Sequence, residues 1–380
     1  MRLVYFAHFA GGADAASAMD ADLFAAVQAL GHEVVVLSPF RDPSAGRIGG
    51  DVGGGRFARL ALALPGYARM LARGLRETRD PAARIASQYH VFHPATTVAF
   101  LVARLRGRPL VVRAHDPLPG SYRSEAQGAL FRAAFRLHRR ILAHRQTRVL
   151  VPSHELRAAA SERLGLPPER VLVVPNNVTP SPEPDRLAVE ALRDTLGLRA
   201  AHVVLQFGSF TERGTATFVD AIRRSPPTVK GLVLADPWRG RTFAAEARRQ
   251  GIVNRIVVVP TRPHAELAAY LALADACVGI LSADPLAFGS LPRSTLEAMA
   301  AGKPVVLCRG VASSALVEDG RNGLLVPPGD ASTLAAALAR VLEDAALAAD
   351  LGRRARETVR ERFRSDVVAR AFAAAIEGIH

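Results

Sequence analysis

The chain has 380 residues, of which 49% are apolar and 22% are charged. This length favours two domains of ordinary size, and the composition excludes a largely disordered chain, a collagen-like chain and a coiled coil. The formal net charge is +14, and it is uneven, because residues 1–180 hold 24 arginines against 13 acidic residues. The imbalance predicts an anionic partner for the first half, although abundant arginine and alanine are also typical of a GC-rich genome.

Short apolar runs alternate with longer helical patterns along the whole chain. Strands with consecutive apolar positions are typical of parallel sheets buried on both faces, and their alternation with helices indicates βαβ units. The predicted strands are Leu3–Phe9, Glu33–Leu37, Val91–His93, Pro109–Ala114, Arg148–Pro152 and Val171–Pro175, then His202–Phe207, Gly231–Leu234, Ile256–Val259, Ala276–Leu281, Pro304–Cys308 and Gly323–Val326. Two sets of six strands predict an α/β protein with two doubly wound domains.

The boundary between the two sets is a proline-rich stretch from Pro175 to Pro184, which predicts a linker. We therefore expect an N-terminal domain over residues 1–178, a linker over 179–198 and a C-terminal domain over 199–361. No leader precedes the first strand, and no apolar run is long enough to span a bilayer, which predicts a cytoplasmic protein.

Two segments of the first half, Phe57–Arg76 and Leu130–Arg148, place apolar residues at helical spacing with arginines between them. They have two interpretations: ordinary amphipathic surface helices, or interfacial helices lying on an anionic membrane surface. Pro65 and Gly66 are expected to break or kink the first helix. A nucleic-acid partner is not predicted, because no RNA-binding motif accompanies the charge.

A glycine turn follows the first predicted strand in each of the two sets. Gly11 and Gly12 precede a predicted helix, and such a turn is either a ligand-binding loop or a structural turn. Gly208 ends the first strand of the second set, where ligands bind in open α/β sheets. Arg213 opens the next helix, and a cation in this position favours an anionic ligand such as phosphate over a merely solvated side chain.

A loop rich in glycine, serine and proline leads into the predicted helix Thr295–Ala301. Ser294 and Glu297 have the spacing of a capping box, in which the glutamate caps its own helix. Alternatively, Glu297 points into the crevice and accepts hydrogen bonds from a diol such as ribose. The spacing does not decide between the two.

Two further candidates involve acidic residues or histidine. His115, next to Asp116 at a strand end, is a candidate base or positioning group. Asp20 and Asp22 form a DxD pattern, which we interpret as a cap at the start of a helix rather than a metal site. The histidines show no metal-ligand spacing, so no metal is predicted.

Several stretches together resemble the GT-B glycosyltransferases, in particular family 4 of the retaining, nucleotide-sugar-dependent enzymes. These stretches are Ala274–Leu281, Leu296–Val306 and Val317–Asp330, with looser matches at Gly11-Gly12, Gly31–Val34, Pro109–Asp116 and Val174–Val178. The resemblance implies two Rossmann-like domains facing a central cleft. It also implies that a C-terminal helix, at about 362–380, packs back on the N-terminal domain.

The resemblance implies roles for single residues. Glu297 aligns with a glutamate that holds the nucleotide ribose, and Arg213 with a lysine that binds the donor diphosphate. His115 aligns with a histidine near the reaction centre, so His115 and Arg213 are the expected catalytic residues. The remaining expected donor-binding residues are Gly11, Gly12, Gly208, Ser290, Leu291, Pro292, Arg293 and Ser294.

The resemblance predicts transfer of a sugar from a UDP-sugar or GDP-sugar to a hydroxyl acceptor, with no metal and no further cofactor. The basic first half favours a lipid-linked or envelope-glycan acceptor and peripheral membrane association; a soluble acceptor is the alternative. Gly289 stands where the family has a second glutamate, and Ser209 where it has an arginine. These departures leave open a third alternative, a catalytically silent nucleotide-sugar binder.

Overall fold

The computed structural model describes residues 1–7, 15–39, 56–89, 94–115, 129–208, 212–279 and 292–378. Its strands are β1 Arg2–Phe6, β2 Glu33–Leu37, β3 Arg84–Gln88, β4 Leu110–Arg113, β5 Thr147–Val151, β6 Val171–Val173, β7 His202–Phe207, β8 Val229–Ala235, β9 Ile256–Pro260, β10 Ala276–Gly279, β11 Val305–Cys308 and β12 Leu324–Val326. Its α-helices are α1 Ala15–Ala29, α2 Arg56–Glu77, α3 Ala95–Leu105, α4 Ala129–Ala143, α5 His154–Leu164, α6 Arg186–Thr195, α7 Glu212–Arg224, α8 Pro237–Arg249, α9 Leu267–Leu273, α10 Arg293–Ala300, α11 Val311–Leu316, α12 Ala331–Glu343, α13 Ala345–Arg362 and α14 Ser365–Glu377. The chain forms two compact units, Met1–Asn176 with Ser365–His380, and Asn177–Arg364.

The first unit contains a parallel sheet of six strands in the order β2-β1-β3-β4-β5-β6. All four residues of β4 are buried, as are Leu3–Phe6 of β1, so the centre of the sheet is covered on both faces. Leu3, Tyr5 and Leu150 from the strands pack with Leu23 of α1 on one of these faces. Helix α14 completes the same core through Val368, Ala369, Phe372 and Ile376.

The second unit contains another parallel sheet of six strands, in the order β12-β11-β10-β7-β8-β9. Leu205 and Leu232 face one apolar core, and Val204 and Val233 face the other. Helix α6 lies within the stretch 179–198 that is predicted as a linker. Val189, Leu192 and Leu196 pack against the first of these cores, so much of this stretch belongs to the second unit.

The two-sheet α/β architecture is confirmed, and one strand differs from its prediction. The third strand of the first unit is β3, whereas the predicted strand Val91–His93 lies outside the described residues. Strand β3 is hard to recognise from the sequence because its buried positions include the polar Ser87. The Ser87 hydroxyl donates to the Phe6 carbonyl 3.1 Å away, which satisfies the group inside the sheet.

Helix α2 runs without interruption across Pro65, so this proline does not break the helix. Gly66 is required at its position, because a Cβ atom there would lie 2.1 Å from the Pro39 carbonyl oxygen. The absence of a side chain at Gly66 thus lets α2 lie directly against the chain that leaves β2. No helix in the described part of the chain is long and apolar enough to cross a membrane.

A buried ion pair joins helix α1 to strand β4. Asp20 and Arg113 are 5% and 2% exposed, and the Arg113 Nη1 group donates to the Asp20 carboxylate. The guanidinium also lies over the Phe372 ring, 6.0 Å from its centroid. Burial, followed by the charge of Asp20, raises the pKa of the nearby Tyr5 phenol. Asp20 is the sixth residue of α1, so the interpretation of the DxD pattern as a helix cap is wrong.

We predict that Asp20→Ala lowers the free energy of unfolding by about 3–5 kcal/mol, because it leaves a buried guanidinium without its carboxylate. Urea unfolding measures the loss. The double variant Asp20→Leu/Arg113→Met should recover most of it, since both charges are then gone. A double variant as unstable as the single one would contradict this account.

Candidate active site

The predicted site residues fall in both units. His115 belongs to the first unit, whereas Gly208, Arg213 and the segment Pro292–Glu297 belong to the second. Each lies in a segment that follows the carboxyl end of a parallel strand. His115 follows β4, Gly208 and Arg213 follow β7, and Pro292–Glu297 follows β10. The predicted residues Gly11, Gly12, Ser290 and Leu291 lie outside the described residues.

Gly208 and Ser294 are in direct contact at the carboxyl edge of the second sheet. Gly208 has φ +95°, and a Cβ atom there would lie 2.5 Å from the Ser294 hydroxyl oxygen. Only glycine fits both the backbone conformation and the space. Ser294 is the second residue of α10, so it lies at the N-terminus of this helix, a position that suits an anion.

The Glu297 carboxylate is held by two basic side chains. Its Oε1 atom accepts hydrogen bonds from Arg293 Nε at 2.7 Å and from His264 Nε2 at 2.5 Å. Arg293 is almost fully buried, whereas the His264 side chain is one-third exposed. Helix α10 begins at Arg293 after Pro292, with no side-chain cap. The capping-box interpretation of Ser294 and Glu297 is therefore wrong.

This arrangement gives Arg293 a different role from the one expected. The family resemblance implies that Arg293 binds the donor, but its guanidinium pairs with Glu297 one helical turn away. Each partner neutralises the charge of the other, which is how buried charges are tolerated. Both hydrogen bonds reach Oε1, so Oε2 is the oxygen of Glu297 that a ligand hydroxyl could meet.

Arg213 lies in the first turn of α7 and is exposed. Its Nε atom lies close to Gly329: a Cβ atom added to this glycine would be 3.1 Å from Nε. The side chain lines a groove of about 460 Å³ between α7, α8 and the start of α12, together with Arg223, Arg224 and Arg249. Those three arginines pair with Asp220 or Glu246. Among the described residues Arg213 has no acidic partner of this kind.

His115 is held by Asn176, a residue for which no role in the site is predicted from the sequence. Its Nδ1 atom lies 2.8 Å from Asn176 Oδ1, and its Nε2 atom is buried with no hydrogen-bond partner in the described part of the chain. Burial, and secondly the charge of Arg113, lower the pKa of His115 from 6.5 to about 3. The imidazole is therefore neutral at physiological pH.

His264 is the second site residue that is not predicted from the sequence. It follows β9 at the carboxyl edge of the sheet, as His115 follows β4, so the same positional argument could have found it. Across the described ranges, no three His, Cys, Asp or Glu side chains come close enough together to hold a metal ion.

Two family models match the chain, one in each half. The model "Glycosyl transferases group 1" matches residues 201–344, and "Glycosyltransferase Family 4" matches residues 21–181. This chain belongs to the glycosyltransferases of the GT-B fold. The structure of Anabaena Alr3699/HepE in complex with UDP and glucose superposes with a TM-score of 0.75 at 20% identity and covers all of both chains. That likeness is one of fold.

Curated relatives match shorter stretches of this glycosyltransferase. The lipopolysaccharide core biosynthesis glycosyltransferase LpsE of Rhizobium meliloti (strain 1021) is 32% identical over 177 residues, which are 45% of this chain and 48% of LpsE. The glycogen synthase of Mycobacterium tuberculosis (strain H37Rv) is 32% identical over 165 residues, which are 43% of this chain and 39% of that enzyme. The matched region thus spans less than half the length of either relative.

We predict that the buried, neutral His115 makes the protein sensitive to acid. The folded state disfavours the imidazolium, so this contribution to stability is full above pH 6.5 and is lost as the pH falls toward about 3. Thermal unfolding of the wild type and of His115→Gln over this range measures it. The melting temperature of the wild type should fall more steeply, because glutamine does not titrate; parallel curves would contradict the assignment.

Proposed function

We propose that this glycosyltransferase moves a sugar from a nucleotide-diphosphate donor, a UDP-sugar or a GDP-sugar, to a hydroxyl acceptor with retention of anomeric configuration. The observation that carries the proposal is the contact between Gly208 and Ser294 at the start of α10. It brings a backbone turn, a hydroxyl and a helix N-terminus together within the half of the chain that matches the group 1 family. The UDP and glucose bound to the structurally similar HepE favour the same class of donor.

Each polar group of the second unit suits one part of such a donor. The diphosphate would lie near the amide groups and hydroxyl of Ser294, with Arg213 supplying the positive charge. These groups would stabilise the negative charge that develops on the leaving diphosphate. The ribose hydroxyls would meet Glu297, whose orientation is fixed by Arg293 and His264.

His115 would act in this reaction as an acceptor of a hydrogen bond, not as a proton donor. Its pKa of about 3 means that the ring is neutral rather than imidazolium at neutral pH, and its buried Nε2 has no hydrogen-bond partner in the described part of the chain. A sugar hydroxyl is the partner that this geometry favours.

We further propose that the acceptor is lipid-linked and is met at an anionic membrane surface. Helices α2, α3 and α4 connect successive strands in the same direction across the sheet, which places them side by side on one face. Their sequences contain a single acidic residue, Glu77, whose largely buried side chain pairs with Arg2, Arg73 and Arg76. The exposed arginines of this face are Arg69, Arg73, Arg76, Arg104, Arg132, Arg136, Arg139 and Arg140.

Exposed leucines lie among these arginines. Four of the eight exposed large apolar side chains in the described part of the chain are on α2, α3 and α4, namely Leu64, Leu101, Leu105 and Leu137. Apolar groups that enter the headgroup region, surrounded by cations that attract anionic lipids, are typical of interfacial helices. The lipopolysaccharide relative supports an acceptor of the envelope-glycan class.

A soluble acceptor is the second candidate, and the matching glycogen synthase favours it, since glycogen is a soluble glycan. A nucleotide-sugar binder without transferase activity is a further alternative, motivated by Gly289 and Ser209, which replace charged residues of the family pattern. Both alternatives keep the donor site and differ in the fate of the bound sugar.

We predict that one nucleoside diphosphate among UDP, GDP, ADP and dTDP binds the wild type clearly in calorimetric titration with EDTA present. Arg213→Ala and Glu297→Gln should each weaken it by about 10- to 100-fold, which is the usual range for hydrogen bonds to charged groups. Arg223→Ala is the matched control, because it lines the same groove as Arg213 but pairs with Asp220.

The outcomes of this titration separate the alternatives. A folded wild type that binds none of the four would contradict the donor site. Clear binding without transfer of the matching labelled sugar to any lipid or soluble acceptor would favour the silent binder. The anomeric configuration of a product, read by NMR, tests retention.

We predict that the wild type floats with vesicles of anionic lipid and not with neutral vesicles, and that salt weakens this binding. Arg136→Gln/Arg139→Gln/Arg140→Gln should reduce it about 100-fold, at about 1 kcal/mol per arginine near the surface. Leu101→Ser/Leu105→Ser should also reduce it. The control is Leu187→Ser on α6 of the second unit, a leucine that is at least as exposed as Leu101 and Leu105; an equal effect there would contradict a specific face.

A further inference from the structure

The residue behind His115 is Asn176, three residues beyond the end of β6. Asn176 is 3% exposed and belongs to the same unit as His115. Strands β4, β5 and β6 are neighbours in the sheet, so their carboxyl ends lie along one edge. This placement explains how residues 61 positions apart come within hydrogen-bond distance.

The contact determines where the imidazole carries its proton. An amide oxygen can only accept, so the His115 Nδ1 atom 2.8 Å away must donate. A neutral imidazole has one N–H group, so Nε2 is left with a lone pair. This atom is buried and has no partner in the described part of the chain.

The surroundings also disfavour a second proton on the ring. Arg113, two residues before His115, is buried and adds positive charge, part of which Asp20 offsets. The imidazolium is therefore disfavoured, and Nδ1 is already used as a donor. Of the three protonation states of His115, the neutral ring with its proton on Nδ1 is favoured.

We propose that Asn176 is a positioning residue that holds His115 in the tautomer with the proton on Nδ1, so that Nε2 accepts a hydrogen bond from a hydroxyl group of the bound sugar. The tautomer is a property of the free protein. The second half of the inference rests on the proposed function, because it requires a sugar beside Nε2.

The first test uses the ligand-free protein and long-range proton–nitrogen NMR of its histidine rings, with His115→Gln to assign the signals. We expect a protonated Nδ1 that does not change between about pH 5 and pH 8. Asn176→Asp should keep the tautomer but let His115 gain a second proton in this range, because a carboxylate stabilises the imidazolium. In Asn176→Leu the preference for Nδ1 should be lost. A wild-type proton on Nε2, or an unchanged tautomer in Asn176→Leu, would overturn the proposal.

The second test measures transfer with the donor identified by calorimetry. Asn176→Leu should lower kcat/KM by about 3- to 10-fold, the range for one neutral hydrogen bond. Asn176→Asp should be close to the wild type at pH 8 and should lose activity toward pH 5. In the His115→Gln background Asn176→Leu should have little further effect, because the two residues act through one ring.

A merely structural Asn176 would give a different pattern. Both Asn176 variants would then lose activity equally at both pH values, in step with their melting temperatures, and their effects would add to that of His115→Gln. A wild type without any transfer activity would refute the proposed function, whereas the NMR result on the tautomer would still stand on its own.

Discussion

The architecture depends on the need to bury parallel strands on both faces. Parallel neighbours require crossover helices, and these helices cover the sheet while each strand ends in a loop at the same edge. In both units this edge is where the chain places its least ordinary side chains: His115 and Asn176 in one, Ser294 and His264 in the other. The same constraint that gives each unit its core thus collects the polar groups from which a site can be made.

Charge is handled in two different ways in this molecule. Inside the units, charges occur with partners: Arg113 with Asp20, and Arg293 with Glu297. On the face formed by α2, α3 and α4, arginines are exposed almost without acidic neighbours. The net charge of +14 therefore says little about the interior and much about one surface. A GC-rich genome favours arginine codons, but that preference does not account for the single acidic residue in these three helices.

The fold can be predicted because strands and helices follow from patterns of neighbouring residues in the sequence. The partners of the charged side chains inside the site cannot be predicted in this way. The strand His202–Phe207 is predicted to the residue, since Val203, Val204 and Leu205 are consecutive apolar residues and Gly208 follows the strand. The partners of Glu297 are hidden from the sequence, because the orientation of Arg293 depends on packing and His264 is 33 positions distant. The pairing of Asp20 is hidden for the same reason, since its partner Arg113 lies 93 positions along the chain.

The position of α14 has a consequence for the order of synthesis. The core of the first unit is completed by Phe372 and Ile376, which are translated only after the whole second unit, Asn177–Arg364. While the ribosome makes that second unit, the apolar core that holds Tyr5 and Leu150 still lacks the side chains that α14 supplies. The N-terminal unit is thus begun first and finished last, and a nascent chain that stalls before residue 365 leaves an apolar surface that chaperones can recognise.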